Sequence, residues 1–206
     1  MKTPTRNNDR QDVKLAQQGD DLAFTRLVER YQTPVFNMCY RMLGDPDHAE
    51  DAAQESFLRA YRNINRFDLE RSFAAWLLSI TSNYCIDQLR RRRIGFISID
   101  QQLDNNDRPM QLADARAVHP ESALAQREEH GSLHNTLNNL KAIDRAVIVL
   151  RYWYDMSDAE IAETLHISVP AVKSRLFRAR REIAARLNGS EKRPSRAFGL
   201  PLAQLI

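Results

Sequence analysis

The stretch Ser157–Ile183, "SDAEIAETLHISVPAVKSRLFRARREI", decides how the chain is read. Ser157 is a favourable N-cap, and Glu160 three residues on completes a capping box, so a helix starts here. Ile161, Ala162 and Leu165 give this short helix one apolar face. "HIS" makes the turn, Ser168 caps a second helix, and Pro170 falls in its first turn, where a missing N–H costs little. The pattern is a helix-turn-helix. Charge divides between its two helices. The first carries Asp158, Glu160 and Glu163; the second carries Lys173, Arg175, Arg178, Arg180, Arg181 and Arg186 against Glu182 alone. A braced helix with small, polar and basic groups toward its N-terminal half suits the major groove of DNA. Lys173, Ser174 and Arg175 come early enough to meet bases or phosphates, and Arg178 and Arg181 are placed for phosphates. Phe177 fits either that face or the core.

Upstream, "LHNTLNNLKAIDRAVIVLRYWY" continues the helical pattern back toward Leu124. Before it the character changes. "IGFISIDQQLDNNDRPMQLADARAVHPESA" has no sustained period, contains Pro109 and Pro120, and sets five acids against Arg108 and Arg116. About thirty such residues are long for a loop inside one compact domain, so an acidic linker between two domains is expected.

From Asp12 to Arg93 the pattern is helical again. "DDLAFTRLVERY" spaces Leu22, Phe24, Leu27, Val28 and Tyr31 as a helix does, and Pro34 fits the first turn of a second helix that Gly44 ends. "DPDHAEDAAQESFLRAYRNI" and "RSFAAWLLSITSNYCIDQLRRRR" give a third and a fourth, which predicts a compact bundle. The expected architecture is all-α, with two small helical domains at 12–95 and 128–187. A flexible N-terminus (1–11), the linker (96–127) and a tail (188–206) that begins basic and ends apolar complete it.

Apolar residues at 43% and charged residues at 28% of the 206 suit a folded soluble protein and argue against global disorder. The net charge of +3 is small beside the local clusters, so the clusters carry the information. Cys39 and Cys85 have no CxxC or nearby Cys/His grouping, which argues against a disulfide framework or a zinc site. The N-terminus lacks the apolar core of a signal peptide and no run reaches about 18 apolar residues, so a cytoplasmic protein is expected. His48 and the carboxylates of "DPDHAED" point apart around a helix and read as a solvated helix start. No metal and no cofactor is expected, and neither a nucleophile in a basic pocket nor clustered metal carboxylates suggest a recombinase or nuclease.

Two further stretches need partners. "DAAQESFL" puts Asp51, Gln54, Glu55, Phe57 and Leu58 on an acidic helix beside Asp47 and Glu50. An apolar residue in an acidic patch suits a protein surface, since phosphates would be repelled and a second identical face would be too. "NYCIDQLRRRR", Asn83–Arg93, ends an apolar helix in four arginines, which is either a solvated end or a face against a polyanion.

These stretches together resemble the sigma-70 family of bacterial RNA polymerase sigma factors, specifically its extracytoplasmic-function group. The motifs are "DAAQESFLRAYRNINRF", "SFAAWLLSITSNYCIDQLRRRR" and "AEIAETLHISVPAVKSRLFRARREI", in this order around an acidic linker. The likeness covers Asp12–Arg93 (region 2) and Glu128–Leu187 (region 4), without the regions that larger sigma factors carry before and between. The resemblance implies a non-enzymatic subunit that binds core RNA polymerase, recognises −35 and −10 promoter elements and promotes opening. It assigns Asp51, Gln54, Glu55, Phe57 and Leu58 to the polymerase clamp coiled coil, with the flap as a second contact. The loop "RNINRFDLERS" would capture a flipped base, with Asn63 and Asn65 as contacts and Phe67 either contact or core. Asn83 would read −10 bases, Arg90, Arg91, Arg92 and Arg93 would follow phosphates, and Asp87 would orient Arg90 or Arg91. Lys173, Ser174, Arg175, Phe177, Arg178 and Arg181 match −35 contacts. Pro170–Ala171 stand where Gly-Thr commonly precedes the Val-Lys-Ser-Arg run, which removes a hydroxyl suited to a phosphate. The linker would thread the polymerase's RNA path, and an anti-sigma factor is a further expected partner.

Overall fold

The computed structural model describes residues 6–100 and 136–190, with side chains for 9–92 and 136–186. What the sequence suggests for the stretch 101–135 and for the tail from 191 lies outside the described residues. Those described form helices α1 (Arg6–Gln17), α2 (Asp21–Leu43), α3 (Pro46–Asn63), a 3-10 turn at Ile64–Arg66, α4 (Phe73–Asp100), α5 (Ala142–Trp153), α6 (Asp158–Leu165) and α7 (Val169–Ser190), with no strand among them.

The helix ends follow their local chemistry. The Asp20 carboxylate accepts from the Leu22 and Ala23 N–H groups at 2.9 and 3.1 Å, which starts α2. Gly44, at φ 79°, ends it in the left-handed conformation and donates its N–H to the Tyr40 carbonyl. Asp45 and Pro46 then start α3 immediately, with the Asp45 carboxylate on the His48 N–H at 2.8 Å.

Pro34 does not begin a helix as the sequence suggests. It lies inside α2, which runs unbroken for 23 residues. The ring costs one backbone hydrogen bond, about 3 kcal/mol. Against that, Leu27, Tyr31, Val35, Met38 and Met42 form one buried stripe that crosses the proline without changing phase. A break there would expose the stripe, so tertiary burial overrides the local preference. The N-terminus also differs from expectation, since α1 already begins at Arg6. Asp9 accepts from Arg30 at 2.5 Å and from the Tyr31 hydroxyl at 2.6 Å, Asp12 accepts from Arg26 and Arg30, and Gln17 donates to the Ile64 and Phe67 carbonyls.

In the second half, every residue of α5 from Asp144 to Leu150 is buried. A helix buried all round needs neighbours on every side. α5 finds them in α7 behind it and in α2 and α4 of the first bundle in front. One apolar cluster therefore runs from Val13 to Ala179 through both halves. The expected pair of domains is recognisable, but the two are packed together.

Candidate protein and nucleic-acid interfaces

α3 presents three surfaces because of its spacing. Ala49, Ala52, Ala53, Ser56 and Ala60 are small and buried, letting α3 lie close on α2. On the outer side Asp51, Gln54 and Leu58 share one exposed strip, with Leu58 49% exposed in spite of its apolar side chain. Glu55 lies between that strip and the next face, paired with Arg59 at 2.7 Å. Phe57, expected on the docking surface, packs partly into the core. His48 bonds its own cap, Asp45, at 2.6 Å, and His48's backbone N–H, followed by its ring, holds the Asp45 carboxyl below the usual carboxylate range. Among the described residues no group of three or more His, Cys, Asp and Glu gathers that could hold a metal ion.

The third face of α3 meets α4 across an open cleft of about 600 Å³, lined by Glu55, Arg59, Arg62, Asn63, Arg66, Trp76, Ile80 and Asn83. Asn63 and Asn83, twenty residues apart in sequence, come together here. Asn65 is exposed on the 3-10 turn and does not line the cleft. Phe67 goes to the core, edge-on to Phe73 at 5.8 Å and 4.9 Å from Trp76, which holds the Trp76 ring against the cleft wall. The sequence reading missed the cleft's three arginines. Arg59, Arg62 and Arg66 recur at helical spacing after Glu55, and Trp76, Ile80 and Asn83 recur likewise on α4, so a helical-wheel comparison of the two segments would have paired them. Arg59 also lies 4.6 Å from the Tyr84 ring centroid, which fixes its guanidinium over α4.

Farther along α4, Asp87, Arg90 and Arg91 are exposed, Arg92 is half-buried, and the Arg93 side chain lies outside those described. Asp87 and Arg90 approach at 3.8 Å, one helical turn apart.

In the helix-turn-helix, the capping box forms as expected. Ser157 Oγ accepts from the Glu160 N–H, and the Glu160 carboxylate accepts from the Ser157 N–H and hydroxyl at 2.7 Å each. These bonds, the side-chain one first, hold Glu160 below its ordinary pKa. His166 turns the chain at φ 53° and Ser168 caps α7. On α7, Lys173, Ser174 and Arg181 are exposed, Arg178 is 62% exposed, and Phe177 is 61% exposed with Arg181 over its ring. Phe177 is thus a surface residue and not core. Arg175 goes the other way. It donates to the buried Asp144 of α5 at 2.7 Å, and its side chain is only 25% exposed. That bond ties α7 to α5.

Comparison with known proteins agrees with both halves. The family description "Sigma-70 region 2" matches residues 27–94, and "Sigma-70, region 4" matches 130–183. The ECF RNA polymerase sigma factor SigW of Bacillus subtilis is 36% identical over 85% of this chain and 94% of its own length. The ECF RNA polymerase sigma-E factor of Haemophilus influenzae is 35% identical over 83% of this chain and 90% of its own. Among solved structures, that of CnrH in complex with the cytosolic domain of CnrY is similar at a TM-score of 0.65 and 28% identity, covering 88% of this chain and 98% of that one. Its two matched regions, its helical fold and these relatives place the chain in the sigma-70 family of RNA polymerase sigma factors, within the extracytoplasmic-function group.

Proposed function

We propose that this sigma factor divides promoter recognition among three surfaces. Asp51, Gln54, Glu55 and Leu58 dock on the clamp coiled coil of core RNA polymerase, where an exposed leucine ringed by acids suits a basic, partly apolar partner. Lys173, Ser174, Phe177, Arg178 and Arg181 face the −35 element, and region 4 also meets the flap. The α3–α4 cleft takes an unstacked base of the −10 non-template strand, while Asp87-oriented Arg90 and its neighbours follow the backbone. Arg175 acts within region 4 as a positioning residue.

The cleft is the observation that carries this reading. It offers amide groups for a base edge from Asn63 and Asn83, an indole for stacking from Trp76, and three guanidiniums for phosphates. Extruding a base costs a few kcal/mol, which stacking and hydrogen bonding in such a cleft offset. Capture of the extruded base shifts the promoter toward the open state, with no bond made or broken by the protein. It would work in the cytoplasm beside the polymerase, in keeping with the lack of any described helix long and apolar enough to cross a membrane. An anti-sigma factor is a further proposed partner, and the similar CnrH was itself solved in complex with the cytosolic domain of CnrY.

The test uses holoenzyme on a promoter carrying a fluorescent adenine analogue in the −10 element. Asn83→Ala and Arg62→Ala should retain core binding and closed-complex formation but lose most of the unstacking signal. An undiminished signal in both would refute the role of the cleft.

A further inference from the structure

α1 belongs to none of the three recognition surfaces, yet its last residue grips the turn beside the α3–α4 cleft. The half-buried Gln17 donates from Nε2 to two backbone carbonyls, that of Ile64 at 2.9 Å and that of Phe67 at 2.8 Å. One N–H serves each acceptor, so both amide donors are spent on the two ends of the 3-10 turn. The turn itself is closed by one backbone bond, from the Phe67 N–H to the Ile64 carbonyl at 3.0 Å. Short 3-10 segments have poor hydrogen-bond geometry, so the shape of this one depends on what holds it from outside.

The helix that supplies the grip is itself well anchored. The buried Asp9 and Asp12 both pair with Arg30, and Asp9 also accepts from the Tyr31 hydroxyl at 2.6 Å, which fixes α1 on α2. Tyr31 stands edge-on to Phe73 at 5.5 Å, and Phe73 lies 5.7 Å from Trp76. α1 therefore supports the cleft at two points, the turn through Gln17 and the Trp76 wall through Tyr31 and Phe73.

The turn carries two of the groups that line the cleft. Asn63 and Arg66 are three residues apart across it, and side chains at that spacing eclipse in 3-10 geometry, so both project into the same space. Continuing α3 as an α-helix would swing Arg66 about 60° away from Asn63. We propose that Gln17 is a positioning residue for base capture. It holds the Ile64–Phe67 turn at the pitch that aims Asn63 and Arg66 into the cleft, and it touches no DNA itself. The inference rests on the proposed role of the cleft and adds α1 to the machinery of promoter opening.

The test follows the rise of the adenine-analogue signal in holoenzyme, beside the affinity of the closed complex at low temperature. Gln17→Met keeps the length of the side chain and removes both donors. It should change closed-complex affinity by less than about twofold but slow unstacking about tenfold, as the loss of two net hydrogen bonds would. Gln11→Gly, at an exposed position of α1, weakens the helix without touching the turn and should keep the wild-type rate. Because Gln17 acts through the turn, Gln17→Met should slow Asn63→Ala/Arg66→Ala no further, while adding its full effect to Asn83→Ala on α4. Equal slowing by Gln11→Gly, an equal loss of closed-complex affinity, or a Gln17→Met penalty that adds in full to Asn63→Ala/Arg66→Ala would overturn the positioning role. So would undiminished unstacking in Gln17→Met beside losses in Asn83→Ala and Arg62→Ala. Undiminished unstacking in those two would instead overturn the cleft reading, and this inference with it.

Discussion

Arg175 and Arg178 look interchangeable in sequence, and replacing each with alanine separates their roles. Arg175 reaches the Asp144 carboxylate at 2.7 Å, whereas Arg178 approaches the same oxygen only at 4.0 Å and is mostly in solvent. Breaking a buried ion pair costs about 3–5 kcal/mol because the remaining charge is stranded. Arg175 keeps a quarter of its side chain in water, and Asp144 keeps a weak partner in Arg178, so about 2 kcal/mol is the reasonable figure for Arg175→Ala. In a chain of this size that lowers Tm by roughly 4–8 °C. Arg178→Ala should move Tm by no more than about 2 °C. DNA binding should show the reverse. Loss of one phosphate contact at Arg178 weakens promoter binding across sequences and reduces the salt slope by about 1. Arg175→Ala, assayed well below its Tm, should keep the wild-type slope. Thermal unfolding by circular dichroism and a salt titration of holoenzyme on a −35 duplex measure the two quantities. A stable Arg175→Ala protein with a reduced slope would show that Arg175 faces DNA and that the pairing with Asp144 is incidental.

Four further outcomes follow from the helix ends and the core. Ser157→Ala should cost about 1 kcal/mol by removing the α6 cap, read as a shift of the urea midpoint. Glu160 has a folded pKa below its ordinary 4.5, so its stabilisation is complete above that value and disappears as pH falls through the folded one. An acid titration should therefore show wild type and Glu160→Gln converging as pH falls below 4.5, and a constant gap would contradict the capping box. Gly44→Ala should destabilise by about 1–2 kcal/mol, since φ is 79° and the new Cβ would lie 2.9 Å from Asn138 Oδ1; an unchanged midpoint would mean the turn relaxes freely. Cys39 and Cys85 are both buried, and the hydrogen bond that the Cys39 thiol donates to Cys85, with burial, pushes its pKa far up. Neither should react with an aromatic disulfide reagent at pH 8 until denaturant is added, and rapid native titration of either would show an opening at the α2–α4 contact.

What sequence revealed here depended on the range of the interaction. The Ser157–Glu160 cap and the Gly44 stop depend on residues within one or two turns, and each was legible. Pro34 was misread because its local penalty is visible in sequence and the burial that overrides it is not. The inward turn of Arg175 depends on Asp144, 31 residues away, and nothing in "VKSRLFRAR" distinguishes it from Arg178. Phe177 was open between core and surface because an apolar residue on a basic helix is ambiguous until its neighbours are known. The cleft arises only when α3 and α4 cross, so Asn63 and Asn83 were named singly while Arg59, Arg62, Arg66 and Trp76 were passed over. The packing of the two halves was also beyond reach, because Arg145 and Tyr154 meet region 2 through the Met42 and Pro34 carbonyls, and backbone acceptors leave no mark in sequence.

The most direct test of promoter direction by this chain is transcript-end sequencing with purified components. The full chain is mixed with bacterial core RNA polymerase and fragmented DNA from its own genome, with a Leu58→Glu variant and core alone as controls. The expected result is a set of new starts that requires the wild-type chain, shares one pair of −35 and −10 motifs, and is lost with Leu58→Glu. Sequence-specific DNA binding by the chain alone, with no new starts in the presence of polymerase, would contradict it.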